Sequence, residues 1–294
     1  MDKNLKSHSF SEIYQKASRP IISFELFPPR DSRALDQTKQ RIKKLEALKP
    51  DYMTVTYGAG GSKRDLSCEL LDYIHQECGL PAIAHLTCVG HTRDEIDGIL
   101  EDLKTRGIDH ILALRGDTPD GQEAVKVSSC EFDCARDLAA HIRARGEFSI
   151  AVAGYPEPHP DSISEEKDLE YLASKVDAGA EVIITQLFFD TDIYFRFVEK
   201  VRSYGITVPI VPGIMPIAKY DQVTRFVSMC GATIPEELMK KLERLKVDPP
   251  AVTEFGTEYA TAMANTLLEG GAPGVHFYTL NRCKQTELIV KHIL

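Results

Sequence analysis

The sequence lacks the long hydrophobic run that a membrane-spanning helix requires. About 20 consecutive apolar residues are needed to cross a bilayer, and no apolar run in the 294 residues approaches that length. The stretch from Met1 to Ser9 carries lysines and a histidine without an apolar centre, which excludes the layout of a secretory signal. We therefore expect a cytoplasmic protein with no membrane partner.

A surplus of positive charge is also missing. The 35 basic residues are outnumbered by 44 acidic ones, and they are dispersed rather than gathered in a stripe. Nucleic acids and anionic membranes attract proteins through dense basic surfaces, so we expect neither as a partner. A small-molecule substrate fits this composition better.

The sequence gives little support for disulfide pairing. Seven cysteines are an odd number scattered through a long chain, whereas disulfide frameworks use even numbers in short secreted chains. Cys130 and Cys134 could share a helix face as metal ligands, but no matching Cys or His pair lies nearby. We expect reduced thiols and no bound metal.

The glycine patterns of common nucleotide sites are absent. No G-x-G-x-x-G pattern follows the first apolar run, and residues 58–63 (GAGGSK) lack the spacing of a phosphate-binding P-loop. Any nucleotide cofactor must therefore be bound by other means.

What the sequence does contain is an alternation of short β-rich runs with longer segments of helical period. Eight runs are predicted strands: Ile21 to Leu26, Tyr52 to Tyr57, Ala82 to Leu86, His110 to Leu114, Ser149 to Gly154, Val182 to Leu187, Pro209 to Ile214 and Val275 to Thr279. Eight strand–helix units, in a chain slightly longer than the ~250 residues typical of the fold, predict an α/β protein: one (β/α)8 TIM-type barrel over residues 1–294. An open doubly wound sheet is the alternative.

Helix signals support this alternation. Residues 92–95 (TRDE) form a capping box, and residues 162–165 (SISE) repeat the pattern. Residues 231–273 contain two predicted helices before the last strand, which we interpret as an insertion in the barrel. The loop at 117–129 exceeds the ~2 to 6 residues usual for such connections, and we expect it to close over bound substrate as a lid.

Polar residues end nearly every predicted strand, where barrels of this kind carry their catalytic groups. They offer no strand-end lysine for Schiff-base chemistry, no Gly-x-Ser-x-Gly nucleophile and no His-x-His metal pair. Acid–base and cofactor-binding chemistry remains. The residues are Glu25, Thr56, His85, Arg115, Asp117, Tyr155, His159, Gln186, Asn281 and Arg282.

Glu25 lies in the apolar sequence FELF at 24–27. Apolar surroundings disfavour the ionised form of a carboxyl, which suits a general acid near neutral pH. Because side chains alternate along a strand, only Phe27 would share its face. The alternative is a carboxylate paired with an arginine such as Arg30, and we favour the acid.

Nine segments, in order from Ser23 to Arg282, resemble the methylenetetrahydrofolate reductase family. They are SFELFPPR (23–30), VTYGA (55–59), AHLTC (84–88), ALRGD (113–117), AGYPEPHP (153–160), KVDAGA (175–180), ITQLFFD (184–190), PGIMP (212–216) and HFYTLNR (276–282). The resemblance implies a barrel that binds FAD and converts 5,10-methylenetetrahydrofolate into 5-methyltetrahydrofolate.

The resemblance also implies a reduced nicotinamide, NADH or NADPH, which reduces the flavin and leaves before the folate takes its place. We expect a homo-oligomer. The sequence determines neither the number of subunits nor the choice between the two nicotinamides.

Site residues follow from the same resemblance. Glu25 is implied as the general acid that protonates a folate nitrogen as the ring opens, and Asp117 as a carboxylate between flavin and pterin. Folate contacts are implied for Gln186, Gln222, Phe226 and Arg282, although Phe226 also fits an ordinary helical core stripe. FAD contacts are implied for Thr56, Tyr57, Ala59, His85, Arg115, Gly116, Asp117, Ala135, Tyr155, His159, Asp168 and Lys175.

The sequence departs from the family at two positions. Tyr171 and Ser174 stand where an asparagine and an arginine often hold the adenosine and phosphate end of the cofactor, which puts cofactor affinity in question. The chain also ends soon after the barrel, so we expect no regulatory domain and no allosteric control.

Two other functions compete with this interpretation. A flavin-dependent barrel oxidoreductase acting on another amine would need neither Gln186 nor Arg282, and substrate screening of the reduced enzyme would identify it. A folate- or flavin-binding subunit that depends on a partner for electrons would show no flavin bleaching by NADH or NADPH.

Overall fold

The computed structural model describes residues 9–56, 61–116 and 131–294. Nine parallel strands in these residues form one sheet in the order β7-β6-β5-β4-β3-β2-β1-β9-β8. The strands are β1 (Ile21–Leu26), β2 (Tyr52–Val55), β3 (Ala82–Thr87), β4 (His110–Leu114), β5 (Ser149–Gly154), β6 (Val182–Thr185), β7 (Ile210–Val211), β8 (Gly213–Ile214) and β9 (Gly274–Tyr278).

The sheet closes into a barrel through the two short strands β7 and β8. Only Pro212 separates them, and β7 pairs with β6 while β8 pairs with β9. Our prediction of one strand at 209–214 was wrong in this detail, because proline has no N–H to donate. Its carbonyl still accepts from the His276 N–H at 2.9 Å. The predicted TIM-type barrel is confirmed, with its seventh strand interrupted.

Glycine is required immediately after this interruption. A Cβ on Gly213 would lie 2.5 Å from the Thr185 carbonyl oxygen and 2.5 Å from the Tyr278 ring. These distances leave no space for a side chain, so the last strand and β6 approach each other closely here. The closure therefore depends on the Pro-Gly pair.

Helices follow the strands and cover the outside of the barrel. In the described residues they are α1 (Phe10–Lys16), α2 (Leu35–Glu46), α3 (Gly61–Asp72), α4 (Arg93–Thr105), α5 (Ala135–Arg145), α6 (Glu165–Asp177), α7 (Thr191–Ser203), α8 (Tyr220–Cys230), α9 (Glu236–Leu245), α10 (Pro249–Glu269) and α11 (Cys283–Ile293). Helices α9 and α10 are the two extra helices predicted before the last strand. No helix in the ranges just given is long and apolar enough to span a membrane.

Side-chain alternation divides each strand between two environments. On β1, Ile22, Phe24 and Leu26 pack into the large apolar layer between the strands and the helices. Ile21 packs instead with residues of the other strands inside the barrel. Ser23 and Glu25 share the parity of Ile21, so the strand also presents polar groups to the interior.

Capping residues set the helix starts. Thr92 and Glu95 form both bonds of the predicted capping box at α4. At α6 the prediction was wrong by two residues, since the cap is Ser164, whose hydroxyl accepts from the Lys167 N–H at 3.3 Å. The Ser162 hydroxyl donates to the Ser164 carbonyl at 2.9 Å instead.

Helix α1 closes the barrel at the N-terminal ends of the strands. Phe10 is completely buried, and its ring lies 4.9 Å from the His110 ring and 5.7 Å from the Tyr52 ring. The Phe10 N–H donates to the Ser149 hydroxyl at 2.8 Å. The catalytic groups are therefore expected at the other end.

Phe10→Ala should lower the free energy of unfolding by about 3–5 kcal/mol, because truncating a buried aromatic leaves a cavity that the strands cannot fill. Thermal or urea unfolding measures this loss. Tyr204→Ala is the control, since Tyr204 is 39% exposed and surface changes usually stay within about 0.5 kcal/mol. An equal loss of unfolding free energy in the two variants would contradict the conclusion that Phe10 closes the N-terminal end of the barrel.

Candidate active site

Glu25 lies on the inner wall of the barrel, one residue before the end of β1, and its side chain is only 9% exposed. Its backbone is paired with Thr54 on β2 and Tyr278 on β9. Its Oε2 lies 3.7 Å from His85 Nε2 and 4.0 Å from His276 Nε2. A buried carboxyl thus faces two imidazoles from β3 and β9.

His85 is neutral near pH 7. Burial lowers its pKa to about 4, and this effect outweighs the attraction of Glu25, which raises the pKa. His85 Nε2 lies 3.0 Å from the Thr54 hydroxyl oxygen, within hydrogen-bond distance. The contact between His85 and Glu25 is therefore not an ion pair at neutral pH.

His276 is completely buried beside the same carboxyl. Its Nδ1 lies 2.8 Å from the Ser23 hydroxyl oxygen, while its Nε2 has no hydrogen-bond partner in the part of the chain described. Sequence reasoning missed Ser23, Thr54 and His276. The alternation of side chains along a strand could have identified Ser23, because it shares a face of β1 with Glu25. It could also have identified His276, which is the register partner of Ser23 on β9.

The surroundings of Glu25 are neither the apolar pocket nor the ion pair with Arg30 that the sequence suggested. The apolar residues Phe24 and Leu26 point to the helix layer, and the carboxyl lies within 4.0 Å of two imidazoles. Arg30 is exposed to solvent, and no ion pair joins it to Glu25 in the described residues. A polar, buried cluster therefore replaces the expected apolar pocket.

A cavity of about 320 Å³ lies between the C-terminal ends of β4 and β5, the start of α5 and one side of α6. Its volume falls in the range of small-molecule sites, about 300–1,000 Å³. Six of the residues predicted to bind the cofactor line it: Arg115, Ala135, Tyr155, His159, Asp168 and Lys175. The fold brings these residues together from sequence positions up to 60 apart.

Lys175 is a buried cation in the wall of this cavity, with 5% of its surface exposed. Its Nζ donates to the Ala153 carbonyl and lies 5.0 Å from the centre of the Tyr171 ring. No carboxylate of the described residues lies within 4.0 Å of it. Burial lowers its pKa to about 8, against the attraction of Asp168. A bound anion would relieve this cost.

Hydrogen bonds hold the loop after β5 over the cavity. The His159 N–H donates to Asp168 Oδ2 at 3.1 Å, and the Asp161 N–H donates to His159 Nδ1 at 3.0 Å. Arg115 donates to Asp161 Oδ2 at 2.9 Å and lowers the pKa of that carboxyl. The edge of Tyr155 meets the His159 ring with centroids 4.7 Å apart.

Other predicted cofactor residues lie outside the cavity lining. Thr56 follows β2, and its N–H donates to the Leu26 carbonyl at 2.9 Å. Gly116 has φ 89°, and a Cβ there would lie 2.9 Å from Thr87 Cβ. Tyr57, Ala59, Asp117, Cys130 and the predicted lid lie outside the described residues.

The four predicted folate residues follow β6, β8 and β9, at the C-terminal end of the barrel. Gln186 Oε1 accepts from the Leu187 N–H at 2.8 Å. Gln222 Oε1 is buried with no partner among the residues described, and its Nε2 reaches only Met215 Sδ at 3.7 Å. Arg282 is exposed immediately before α11.

Phe226 is partly buried on α8. It packs against an apolar cluster that includes Val223 and Leu238. This is the environment of an ordinary core residue, so a folate contact for Phe226 stays a prediction.

Tyr171 lines the cavity, so one of the two departures from the family faces the expected cofactor position. Its hydroxyl accepts from the Arg136 N–H at 3.4 Å. The Ser174 hydroxyl donates to the Tyr171 carbonyl at 2.6 Å, within helix α6. Cys134 also lines the cavity and donates to Asp137 Oδ2 at 3.4 Å.

A second cavity of about 430 Å³ lies at the opposite end of the barrel, between α1 and the strand starts. Its wall includes the ion pair of Arg19 with Asp51 at 3.0 Å. It is larger than the first cavity but lies away from Glu25 and from the strand ends that carry the other polar groups. We therefore place the candidate site at the C-terminal end.

The site combines proton chemistry with anion binding. Burial raises the pKa of Tyr278 well above its ordinary value, so its hydroxyl stays protonated and donates to the Thr185 carbonyl. The Glu25 carboxyl lies beside the rings of His85 and His276, and carboxyl and imidazole groups are the side chains most often used for general acid–base chemistry. The cavity at the ends of β4 and β5 offers the buried cation of Lys175 to an anionic ligand.

Comparison with known proteins agrees with this description. The family profile for methylenetetrahydrofolate reductase matches residues 10–294. A probable methylenetetrahydrofolate reductase (NADH) from Oryza sativa is 43% identical over 274 residues, covering 90% of this chain and 46% of that protein. The 5,10-methylenetetrahydrofolate reductase of Salmonella typhimurium is 40% identical over 268 residues, covering 91% and 88%. The chain thus spans about half the length of the plant relatives.

Solved structures support the fold. A protein from Clostridium thermocellum, described as binding two copies of 5-methyl-5,6,7,8-tetrahydrofolic acid, superposes with a TM-score of 0.70 at 15% identity, covering 95% of this chain and 96% of that one. A dihydropteroate synthase from Coxiella burnetii in complex with pteroic acid gives 0.53 at 13% identity, covering 94% and 92%. At these identities the likeness establishes the barrel only.

Lys175→Met should stabilise the ligand-free protein near pH 7. The Lys175 pKa is about 8 in the folded chain against 10.5 for an ordinary lysine, so the unfolded state binds more protons between these values. The free-energy cost of burying the charged form of Lys175 is fully present below pH 8, and it falls as the pH rises toward 10.5. We expect the variant to gain roughly 1–3 kcal/mol at pH 7.

Thermal unfolding from pH 7 to 10 measures this gain, which should shrink as the pH rises. Lys200→Met is the control, because Lys200 is exposed and paired with Glu165 at 2.6 Å, and exposed pairs contribute about 0–1 kcal/mol. A constant difference between Lys175→Met and the unaltered protein over this pH range would show that Lys175 is not buried as a strained cation.

Proposed function

The chain belongs to the methylenetetrahydrofolate reductase family, and from that premise we propose that it reduces 5,10-methylenetetrahydrofolate to 5-methyltetrahydrofolate with electrons from a reduced nicotinamide. The observation that carries the proposal is the buried carboxyl of Glu25 near the C-terminal end of β1, the end of the barrel at which β4 and β5 border a cavity with a buried cation. We further propose that residues 1–294 act as a single catalytic domain.

The cavity residues fit FAD as the cofactor. A dinucleotide carries a pyrophosphate, and Lys175 is a buried ammonium with no carboxylate partner within 4.0 Å in the described part of the chain. The aromatic rings of Tyr155 and Tyr171 line the same space. Asp168 offers a carboxylate to a ribose hydroxyl. Bound FAD would supply the hydride transfer between the nicotinamide and the folate.

Glu25 is proposed as the general acid. Reduction of the methylene bridge requires one carbon–nitrogen bond of the folate ring to break, and protonation of that nitrogen makes the departure possible. Glu25 is buried on the inner wall, where bulk water does not compete for its proton. Because burial keeps His85 neutral, Glu25 does not form an ion pair with the nearby imidazole of His85 at neutral pH.

Folate recognition is proposed for the residues on the other side of the mouth. Gln222 Oε1, which has no hydrogen-bond partner within residues 9–56, 61–116 and 131–294, can accept from a ligand N–H, which would remove the cost of a buried acceptor. Gln186, which follows β6, and Arg282, which precedes α11 after β9, offer an amide and a guanidinium at the same end of the barrel. Asp117 is proposed as the carboxylate beside the pterin, by family resemblance alone.

The electron donor is proposed as NADH or NADPH. The names of the plant relatives specify NADH, so NADH is the donor to test first. Self-association into a homo-oligomer is proposed as well, and the mass of the purified protein in solution would measure it.

Glu25→Gln should separate the two halves of the reaction. Glutamine fills the same space but cannot donate an acidic proton, so folate reduction should fall at least 100-fold, within the ~10²–10⁴ range of general acid catalysis. Flavin reduction by NADH needs no acid and should stay within about twofold. Stopped-flow absorbance follows each half separately.

Glu287→Gln is the matched control, because Glu287 is an exposed carboxylate on α11 paired with Lys291. It should leave both halves unchanged. Folate reduction at a near-normal rate in Glu25→Gln would remove Glu25 from the mechanism. Absence of folate turnover in the unaltered protein would overturn the proposed function itself.

The cofactor assignment has its own test. Lys175→Met should weaken FAD binding by about tenfold or more, because about 1.4 kcal/mol of lost charge-assisted bonding is a factor of ten. Fluorescence titration of the apoprotein with FAD measures the affinity, and Lys200→Met should leave it unchanged. Equal FAD affinity in Lys175→Met and the unaltered protein would place the pyrophosphate elsewhere.

A further inference from the structure

The backbone of Glu25 is attached to the segment that follows β9. The Thr279 hydroxyl donates to the Glu25 carbonyl at 2.7 Å, and Thr279 is buried. The Asn281 N–H in turn donates to the Thr279 hydroxyl oxygen at 3.1 Å. The backbone of the residue proposed as the acid is therefore bonded to a segment 254 residues away in sequence.

The Asn281 side chain makes a second attachment two residues further on. Its Oδ1 accepts from the Phe27 N–H at 2.9 Å, and its Nδ2 donates to the Phe27 carbonyl at 2.8 Å. Both backbone groups of Phe27 are thus bonded to one amide. The register of β1 with β9 ends at Glu25 and Tyr278, so the side-chain amide acts as one more rung of the ladder.

The backbone geometry explains why asparagine stands at this position. Leu280 and Asn281 both have positive φ, 48° and 58°. A left-handed residue other than glycine costs roughly 1–2 kcal/mol, and asparagine tolerates this region better than most residues. Glycine would satisfy the backbone alone, but it has no amide to offer Phe27. Asparagine meets both requirements.

We propose that Asn281 is the positioning residue for Glu25, acting through the two bonds to Phe27. The inference rests on the proposed function, since it assigns a purpose to the fixed position of the general acid. Glu25 lies between two anchored points, its own carbonyl and the Phe27 peptide. A displacement of about 1 Å at a reacting group can cost on the order of 100-fold in rate.

Three substitutions distinguish the amide from the backbone turn. Asn281→Gly keeps the left-handed turn and removes both side-chain bonds. Asn281→Ala removes the bonds and adds backbone strain. Asn281→Asp keeps an acceptor for the Phe27 N–H and places a carboxylate oxygen against the Phe27 carbonyl. Asn281→Gly therefore remains informative if Asn281→Ala fails to fold.

All three variants should slow the oxidation of the reduced enzyme by 5,10-methylenetetrahydrofolate by about 10- to 100-fold. Flavin reduction by NADH should stay within about twofold of the unaltered protein, because that half does not use Glu25. The pH dependence of the folate half should also change, since the surroundings of the acid change. If Asn281 only stabilised the fold, its loss would not slow the folate half-reaction while leaving flavin reduction by NADH unchanged.

Two kinetic results would overturn the inference. Reduction of 5,10-methylenetetrahydrofolate at the unaltered rate in Asn281→Gly would show that only the backbone turn matters. An equal loss in both half-reactions would show a general disturbance of the barrel mouth.

Amide hydrogen exchange tests the attachment without any enzyme activity. The Phe27 N–H should exchange at least about tenfold faster in Asn281→Gly than in the unaltered protein, since its acceptor is gone. Unchanged exchange would overturn the inference even if the rates fall. Failure of the proposed function is distinct, because it shows as absent folate turnover in the unaltered protein, before any substitution is made.

Discussion

The pairing of β8 with β9 is the interaction on which the rest of the structure depends. It joins the end of the sheet to its beginning through His276, whose N–H bonds the Pro212 carbonyl. Closure turns alternate side chains of every strand toward one axis and places all strand ends around one mouth. Without it, Glu25 on β1 and His276 on β9 would still be neighbours, but the cavity beside β4 and β5 would not share their mouth.

Closure also explains why ionisable groups are buried on both sides of this mouth. The inner wall is largely apolar, and it tolerates Glu25 because imidazoles and hydroxyls from neighbouring strands surround it. Lys175 comes from helix α6 and reaches the Ala153 carbonyl at the end of β5. One group is suited to holding a proton and the other to holding an anion. Glu25 is on β1 and Lys175 contacts the end of β5, so proton transfer and anion binding are assigned to different strands.

The loops at the mouth carry strain and hydrogen bonds that the core of the barrel does not need. Leu280 and Asn281 adopt left-handed backbone to return an amide to Phe27. The loop after β5 is held in turn by bonds from His159 to Asp168 and from Arg115 to Asp161. Such preorganisation lowers the cost of ordering a site when its ligand binds. The rigid barrel provides the fixed strand ends against which these loops are built.

The sequence by itself determined the strand–helix alternation, because the spacing of apolar residues sets which backbone form buries them. It located β1, β4 and β5 to the residue and the capping box at Thr92. It did not reveal the break at Pro212, because a proline in an apolar run is compatible with an edge strand as well as with a closure point.

Only the tertiary structure decided which distant residues meet. The partners of Glu25 come from β3 and β9, and their distances depend on how separate strands pair and close into the barrel, which the sequence of β1 alone does not contain. The family resemblance singles out Lys175 as a cofactor contact, but only the packing of the fold shows that this helical lysine is buried. Burial and charge pairing are properties of the whole fold, whereas periodicity is a property of a short segment. The sequence therefore fixes the elements, and the closed barrel decides their chemistry.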